Sequence, residues 1–194
     1  MEPMPDQESV SSHSIRTILT RDFVLGFLAF FAFLFAYFAL VPTLPIYFAG
    51  LGSSESEIGI LVGIYSVSSL ISRLLAGGAL LRYSEKRVMV VAALLFAASF
   101  IACITLRPFW PFLAVRLLQG VAYAFFDTAV FAMIVKITPL PYRGRTLSYF
   151  MLAPAIGTVL APSFGMFLVN LSGFAVLFLV CMACHCAPHS FRAS

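Results

Sequence analysis

Nineteen consecutive residues, Phe23 to Val41, carry no charge. As a helix this run is about 28 Å long, close to the roughly 30 Å of a bilayer's hydrocarbon core. Val88 to Leu106 is a second 19-residue stretch without charge. A water-soluble domain of 194 residues has no interior large enough for such runs, because small domains are mostly surface. Composition agrees: 61% of the residues are hydrophobic and 10% charged, against roughly 45–50% and about 25% in soluble domains. Soluble, disordered, collagen-like and disulfide-scaffold chains are excluded. The sequence belongs in a membrane.

Following the apolar runs predicts an all-α membrane protein with six transmembrane helices. They fall at about residues 23–42, 58–80, 88–106, 109–135, 146–169 and 174–186. None of the runs alternates in segments of roughly ten residues, as barrel strands would. Residues 1–22 are polar, Ser-rich and mixed in charge. They lack the early apolar core and small-residue cleavage site of a secretory leader, so a cytoplasmic tail is expected. Residues 187–194 read as a short C-terminal tail, truncated relative to a longer frame.

Lys and Arg in short loops mark the cytoplasmic side. The N-terminal tail carries Arg16 and Arg21; the loop after span two carries Arg82, Lys86 and Arg87; the loop after span four carries Lys136, Arg143 and Arg145. The loop at 49–57 has no basic residue, the next has only Arg107, and 170–173 has none. Every second loop is positive, which places both termini in the cytoplasm and the chain in the cell (plasma or inner) membrane. The net charge of +4 is therefore a topology signal, and nucleic acid is not an expected partner.

Ser54-Glu55-Ser56-Glu57 has the form of a capping box at the start of span two. Gly59 and Gly63 stand four apart on that span, and Gly157, Ala161 and Gly165 repeat the spacing on span five. In lipid, small residues at this spacing let helix backbones approach closely. Spans three and six have almost no polar side chains, which predicts peripheral, lipid-facing helices.

Span four carries the chemistry. At 100° per residue, Arg116, Gln119, Tyr123 and Asp127 fall within an arc of roughly 80°. Arg116 and Asp127 stand about 16.5 Å apart along the axis, too far to pair. An ionisable residue at the bilayer centre costs about 2.5–3.5 kcal/mol on insertion scales, so it normally faces a wet cavity or a partner. One reading is a cavity lining, with Arg116 as fixed positive charge, Asp127 as a proton-exchanging group, and Gln119 and Tyr123 as hydrogen-bonders. The other is that Arg116 snorkels to the outer interface while Asp127 satisfies a neighbouring helix.

Arg116-Leu117-Leu118-Gln119-Gly120 resembles the fourth-helix motif of major facilitator superfamily transporters, an Arg followed by Gln-Gly. The stretch from Arg73 to Arg87 resembles that family's loop between helices two and three, Gly-x-x-x-Asp-Arg-x-Gly-Arg-Arg/Lys. Gly77, Arg82 and Lys86 match and Arg87 extends the basic run. Leu81 stands at the Asp position, Ser84 at the Gly and Glu85 at the first basic residue. Gly157, Pro162 and Gly165 resemble the helix-five motif of antiporters, Gly-x-x-x-Gly-Pro-x-x-Gly, with Ala161 for the central Gly. Leu44-Pro45-Ile46-Tyr47 and Gly59 also match family positions.

The resemblance covers about residues 22–178. It implies the N-terminal six-helix half of a twelve-helix secondary transporter, closest in motif pattern to drug/proton antiporters. The expected function is transport of a small molecule by alternating access, with proton-coupled efflux as its form. The expected partners are that substrate, protons, the lipid bilayer and a second six-helix half. In the family the loop motif latches the two halves, and Leu81 cannot supply the Asp that helps to do so. The alternative is a non-transporting six-helix subunit or truncated product that scaffolds a partner.

Other signals carry less. Eight phenylalanines between Phe23 and Phe48 suit an aromatic substrate wall, but equally lipid contact and packing. Cys181, Cys184, His185, Cys186 and His189 look like metal ligands, yet a structural site needs four that converge tetrahedrally; on a continued helix Cys181, Cys184 and His185 can share a face, while Cys186 and His189 need not follow. Asn170-Leu171-Ser172 fits a glycosylation acceptor but lies at a membrane edge. No nucleotide, phosphate or hydrolase motif is present, so neither a cofactor nor an enzymatic activity is expected.

Overall fold

A computed structural model describes residues 20–105 and 109–186. Every regular element among them is helical. Helix α1 (Arg21–Gly50) is followed by α2 (Glu55–Leu80), α3 (Glu85–Thr105) and α4 (Phe109–Ile137). A 3₁₀ turn (Leu140–Tyr142) then leads into the short α5 (Arg143–Phe150) and the long α6 (Leu152–Cys186). Five helical stretches, with Leu140–Cys181 taken as one, are long and apolar enough to cross a membrane.

The ends of these helices follow local chemistry, and they correct the expected spans. Thr20 accepts from the Phe23 amide, so α1 begins at Arg21 rather than Phe23. It continues through Pro42 and Pro45 to Gly50, well past the expected end near 42. Each proline removes one helical hydrogen bond, and in this stretch the Thr43 hydroxyl donates back to the Ala39 and Leu40 carbonyls. The capping box is complete. The Ser54 amide donates to Glu57 Oε2 at 2.8 Å and the Glu57 amide to Ser54 Oγ at 3.3 Å, which starts α2 three residues earlier than the apolar run alone suggests. Likewise α3 begins at Glu85, whose carboxylate suits a helix N-terminus, and α4 extends two residues past 135.

The fifth predicted span is divided near its start. Pro154 has no amide to donate to Phe150, and the helix breaks at Met151 between α5 and α6. The second correction concerns Gly173. It has φ 80° and ψ 174°, a non-helical backbone inside the stretch Leu152–Cys186. Contacts with α1 run in opposite senses on its two sides. Before it, Gly157 meets Phe38 and Gly165 meets Ala39; after it, Phe174 packs on Tyr47 and Cys181 reaches back to Ala36. The chain therefore reverses at Gly173 with almost no loop. Only a residue without a Cβ adopts this φ at no steric cost.

Aromatic rings fill the centre of the bundle. Phe33 stacks on Phe126 at 3.9 Å and Phe30 on Phe150 at 4.8 Å, while Phe48 meets Phe112 edge-on at 4.9 Å. Phe30, Phe33 and Phe48 are fully buried, so the phenylalanines of α1 are first a packing device.

Small residues act at some of the predicted positions and not at others. A Cβ on Gly165 would lie 2.5 Å from the Ala39 carbonyl oxygen, and one on Gly120 would lie 2.5 Å from that of Tyr65. These mark the closest approaches of α6 to α1 and of α4 to α2. Gly59, Gly63 and Gly77 face open space, with nothing within 4 Å of a built Cβ. The expected close approach at Gly59 and Gly63 is absent within this chain. Span three is also less peripheral than predicted: 44% of its apolar window is buried, against 28% for α2. Its inward face reaches α4 through Ser99.

Candidate polar site between α1, α2, α3 and α4

The polar stripe of α4 divides into two clusters, each completed by a neighbouring helix. In the first, Arg116 Nη1 donates to Gln119 Oε1 at 3.0 Å, and Gln119 Nε2 donates to Ser99 Oγ on α3 at 2.9 Å. Ser99 in turn donates to the Phe96 carbonyl one turn back. Arg116 is only 8% exposed, which excludes snorkelling. Its guanidinium carbon lies 5.9 Å from the Phe48 ring centre and 5.8 Å from that of Tyr65. Such contacts are worth about 0.5–2 kcal/mol each and offset part of the burial cost of about 2.5–3.5 kcal/mol.

In the second cluster Asp127 pairs with Arg73 of α2 at 2.9 Å. The Asp127 side chain is 9% exposed and that of Arg73 47%. Arg73 also lies 5.9 Å from the centre of the Tyr123 ring. Arg116 and Asp127 do not pair, as their separation along the helix required. Between the clusters stand three tyrosines from three helices, Tyr37, Tyr65 and Tyr123, with ring centres 5.0–6.0 Å apart. A cavity of about 70 Å³ opens beside the first cluster, lined by Tyr37, Tyr65, Ser66, Arg116 and Gln119 together with apolar side chains of α1, α2 and α3.

Arg73, Ser99 and Tyr65 are the residues that sequence reasoning did not place in the site. The signal for Arg73 was present: an arginine inside an apolar run, on a helix next to one bearing a buried aspartate. The Gln-Gly pair of α4 is explained by packing and bonding together. Gln119 ties α4 to α3, and Gly120 lets α4 touch the α2 backbone, where Ser68 Oγ donates to the Leu117 carbonyl at 2.8 Å.

The other motif residues lie at the bundle's ends or on its seams. Arg82, Lys86 and Arg87 are exposed beyond α2. Glu85, at the family's first basic position, accepts from Lys136 Nζ at 2.9 Å and so ties the start of α3 to the end of α4. Gly157 and Gly165 seat α6 against α1, Ala161 is fully buried between them, and Pro162 lies within the same helix. Cys181 donates to the Ala36 carbonyl across 3.6 Å. The side chains of Cys184, His185 and Cys186, and all of His189, lie outside the described residues.

A model of the Major Facilitator Superfamily matches residues 26–184. The chain belongs to that superfamily. Relatives in the superfamily include Multidrug resistance protein 2 of Bacillus subtilis, 29% identical over 137 residues, a match covering 71% of this chain and 34% of that protein. The "Probable vesicular acetylcholine transporter-B" of Danio rerio is 30% identical over 77% of this chain and 32% of its own length. Quinolone resistance protein NorA of Staphylococcus aureus is 25% identical over 77% and 38%. The crystal structure of the human organic anion transporter MFSD10 (TETRAN) superposes with a TM-score of 0.71 at 20% identity. It covers 91% of this chain and 46% of its own, and so shares the superfamily fold. The chain spans about a third of the length of these curated relatives. Superfamily membership makes it a multi-pass membrane protein of a transporter family, not an enzyme.

Proposed function

We propose that this chain is one half of a transporter that moves a small molecule across the cell membrane by alternating access, with proton-coupled efflux as its direction and drive. The reversal at Gly173 supports six crossings rather than five, since the segments on its two sides run oppositely along α1. Six crossings with alternating positive loops put both termini in the cytoplasm. A second six-helix half completes the cavity, because transporters of this superfamily rock two such halves about a midplane site.

The observation that carries the reading is the Arg73–Asp127 pair across the α2–α4 seam. A deprotonated Asp127 holds α2 to α4 through Arg73. A proton on its carboxyl removes the charge that Arg73 neutralises, and the pair loses its Coulombic attraction. The groups facing Asp127 are Arg73 from α2 and Tyr123 one turn away on α4. Proton binding on one side of the membrane and release on the other then biases α2 between two positions. The efflux direction is supported by the helix-five motif and by the relatives named for multidrug and quinolone resistance.

Everted membrane vesicles from cells expressing the chain provide the test. An imposed pH gradient is expected to drive accumulation of a fluorescent quinolone, which carries a carboxylate, and Asp127→Asn to abolish the gradient-driven part. Full gradient dependence in Asp127→Asn removes Asp127 from proton coupling. The short span relative to the relatives favours a second reading, a membrane subunit that scaffolds a partner. Vesicles that accumulate nothing with either chain, while the protein is present and folded, select that reading.

A further inference from the structure

The small cavity beside Arg116 has a chemical asymmetry. Arg116 Nε is buried and unpartnered, and the Tyr65 hydroxyl is buried with only the Tyr37 side chain beside it, at a geometry outside an ordinary hydrogen bond. The residues that bear them are 8% and 7% exposed. Both groups can donate a hydrogen bond. No carboxylate lines the cavity. The ion pairs among the described residues occupy Asp127 with Arg73 and Glu85 with Lys136, and both lie away from Arg116. The guanidinium is therefore bonded to a neutral amide and touched by two rings, with its charge uncompensated.

Buried charges are ordinarily paired, and a single guanidinium with one hydrogen-bond donor beside it fits two oxygens of an anion. The space is also of the right size. It measures about 70 Å³, where a buried water takes roughly 10–15 Å³, so a carboxylate with its attached carbon fits. The remaining walls are apolar, including Leu40, Leu44 and Phe96. Val41 and Val62, at the rim, are exposed, so the cavity opens away from the bundle centre, and a longer apolar body can project outward.

We infer that the Arg116–Tyr65 cavity is the subsite for the carboxylate of an organic anion with an apolar or aromatic body. Arg116 Nε and the Tyr65 hydroxyl donate to its two oxygens, and Ser66 stands at the rim. Substrate charge is thereby read at Arg116, about 16.5 Å along α4 from the proton-exchanging Asp127. This rests on the transport reading only for the word substrate; the binding site stands on the cavity itself.

Equilibrium binding to the purified chain in lipid nanodiscs tests it with three probes of one shape: benzoate, benzamide and benzylammonium. Benzoate is expected to bind at least about tenfold more tightly than benzamide, since hydrogen bonds to charged groups are worth roughly that factor or more. Benzylammonium is expected to bind most weakly. The preference should survive high salt, which screens exposed cations but not a buried one. Tyr65→Phe should lose about tenfold in benzoate affinity with benzamide unchanged, and Arg116→Gln should erase the preference. Equal binding of benzoate and benzamide to the unaltered chain overturns the proposal without any variant. So does a preference that vanishes in high salt or persists in Arg116→Gln. Benzoate selectivity in nanodiscs with no quinolone transport in vesicles would remove the transport reading and leave the subsite; transport without selectivity would do the reverse.

Discussion

Two of the seams in this bundle are built on different chemistry. Where α6 crosses α1 before Gly173, the contact rests on shape: Gly165 against the Ala39 backbone, Gly157 against Phe38, and Ala161 buried between them. Where α4 crosses α2, close approach at Gly120 is joined by a hydroxyl bond from Ser68 and by the Arg73–Asp127 pair. Lipid tails are as apolar as leucine side chains, so helices in a bilayer associate through fit and hydrogen bonds rather than through the hydrophobic effect. A seam of fit alone does not respond to protons. A seam that includes a carboxylate does.

The largest expected effects strike fit. Gly165→Leu forces a side chain into a position where even a Cβ would lie 2.5 Å from backbone, and overpacking of this kind costs about 1–3 kcal/mol or more. Gly120→Leu should cost as much on the other seam. Unfolding in mild detergent measures both, and a Gly165→Leu chain as stable as the parent would show that the α1–α6 contact is not a tight one. Next comes Asp127→Ala. Breaking a fully buried pair costs about 3–5 kcal/mol, but Arg73 is half-exposed and finds water, so about 1–2 kcal/mol is expected here. That loss should change with pH as the parent's own Asp127 gains or loses a proton, whereas the Gly165→Leu loss should be flat with pH. Parallel pH curves for the two variants would remove the distinction between the seams.

Smaller effects sharpen it. Ser68→Ala removes the bond to the Leu117 carbonyl, and such bonds in membranes average about 0.6 kcal/mol. The α2–α4 distance, followed by paired spin labels, should change little. Smallest of all, Gly59→Ala and Gly63→Ala meet open space and should leave the chain's stability unchanged or raise it slightly, since Ala favours helix over Gly by about 1 kcal/mol. A marked loss in either would mean that the Gly59 face is packed after all.

The helices were legible because a charge-free run long enough to cross a bilayer has few other uses. Their ends were less so. Thr20 and Glu85 set starts through caps and carboxylates that lie in polar sequence outside the runs, and the prolines of α1 did not stop the helix. The stripe on α4 was readable because periodicity along one helix fixes which residues share a face. Its partners were not. Ser99, Arg73 and Tyr65 lie 17 to 54 residues away in sequence, and their pairing depends on how neighbouring helices are set in height and rotation, which no spacing within one segment encodes. The small residues make the same point: Gly59 and Gly165 have the same spacing signature, and only one of them has a helix against it.

The turn at Gly173 has a consequence for access from outside. A connection made by one glycine offers no slack to a protease, an antibody or a sugar-transferring enzyme. Asn170 and Ser172 of the acceptor triplet are part of the helical stretch just before it, held at the rim rather than extended into water. That corner of the molecule presents only a blunt edge, and an epitope or reporter tag inserted there would have to unwind the neighbouring helix ends to be reached.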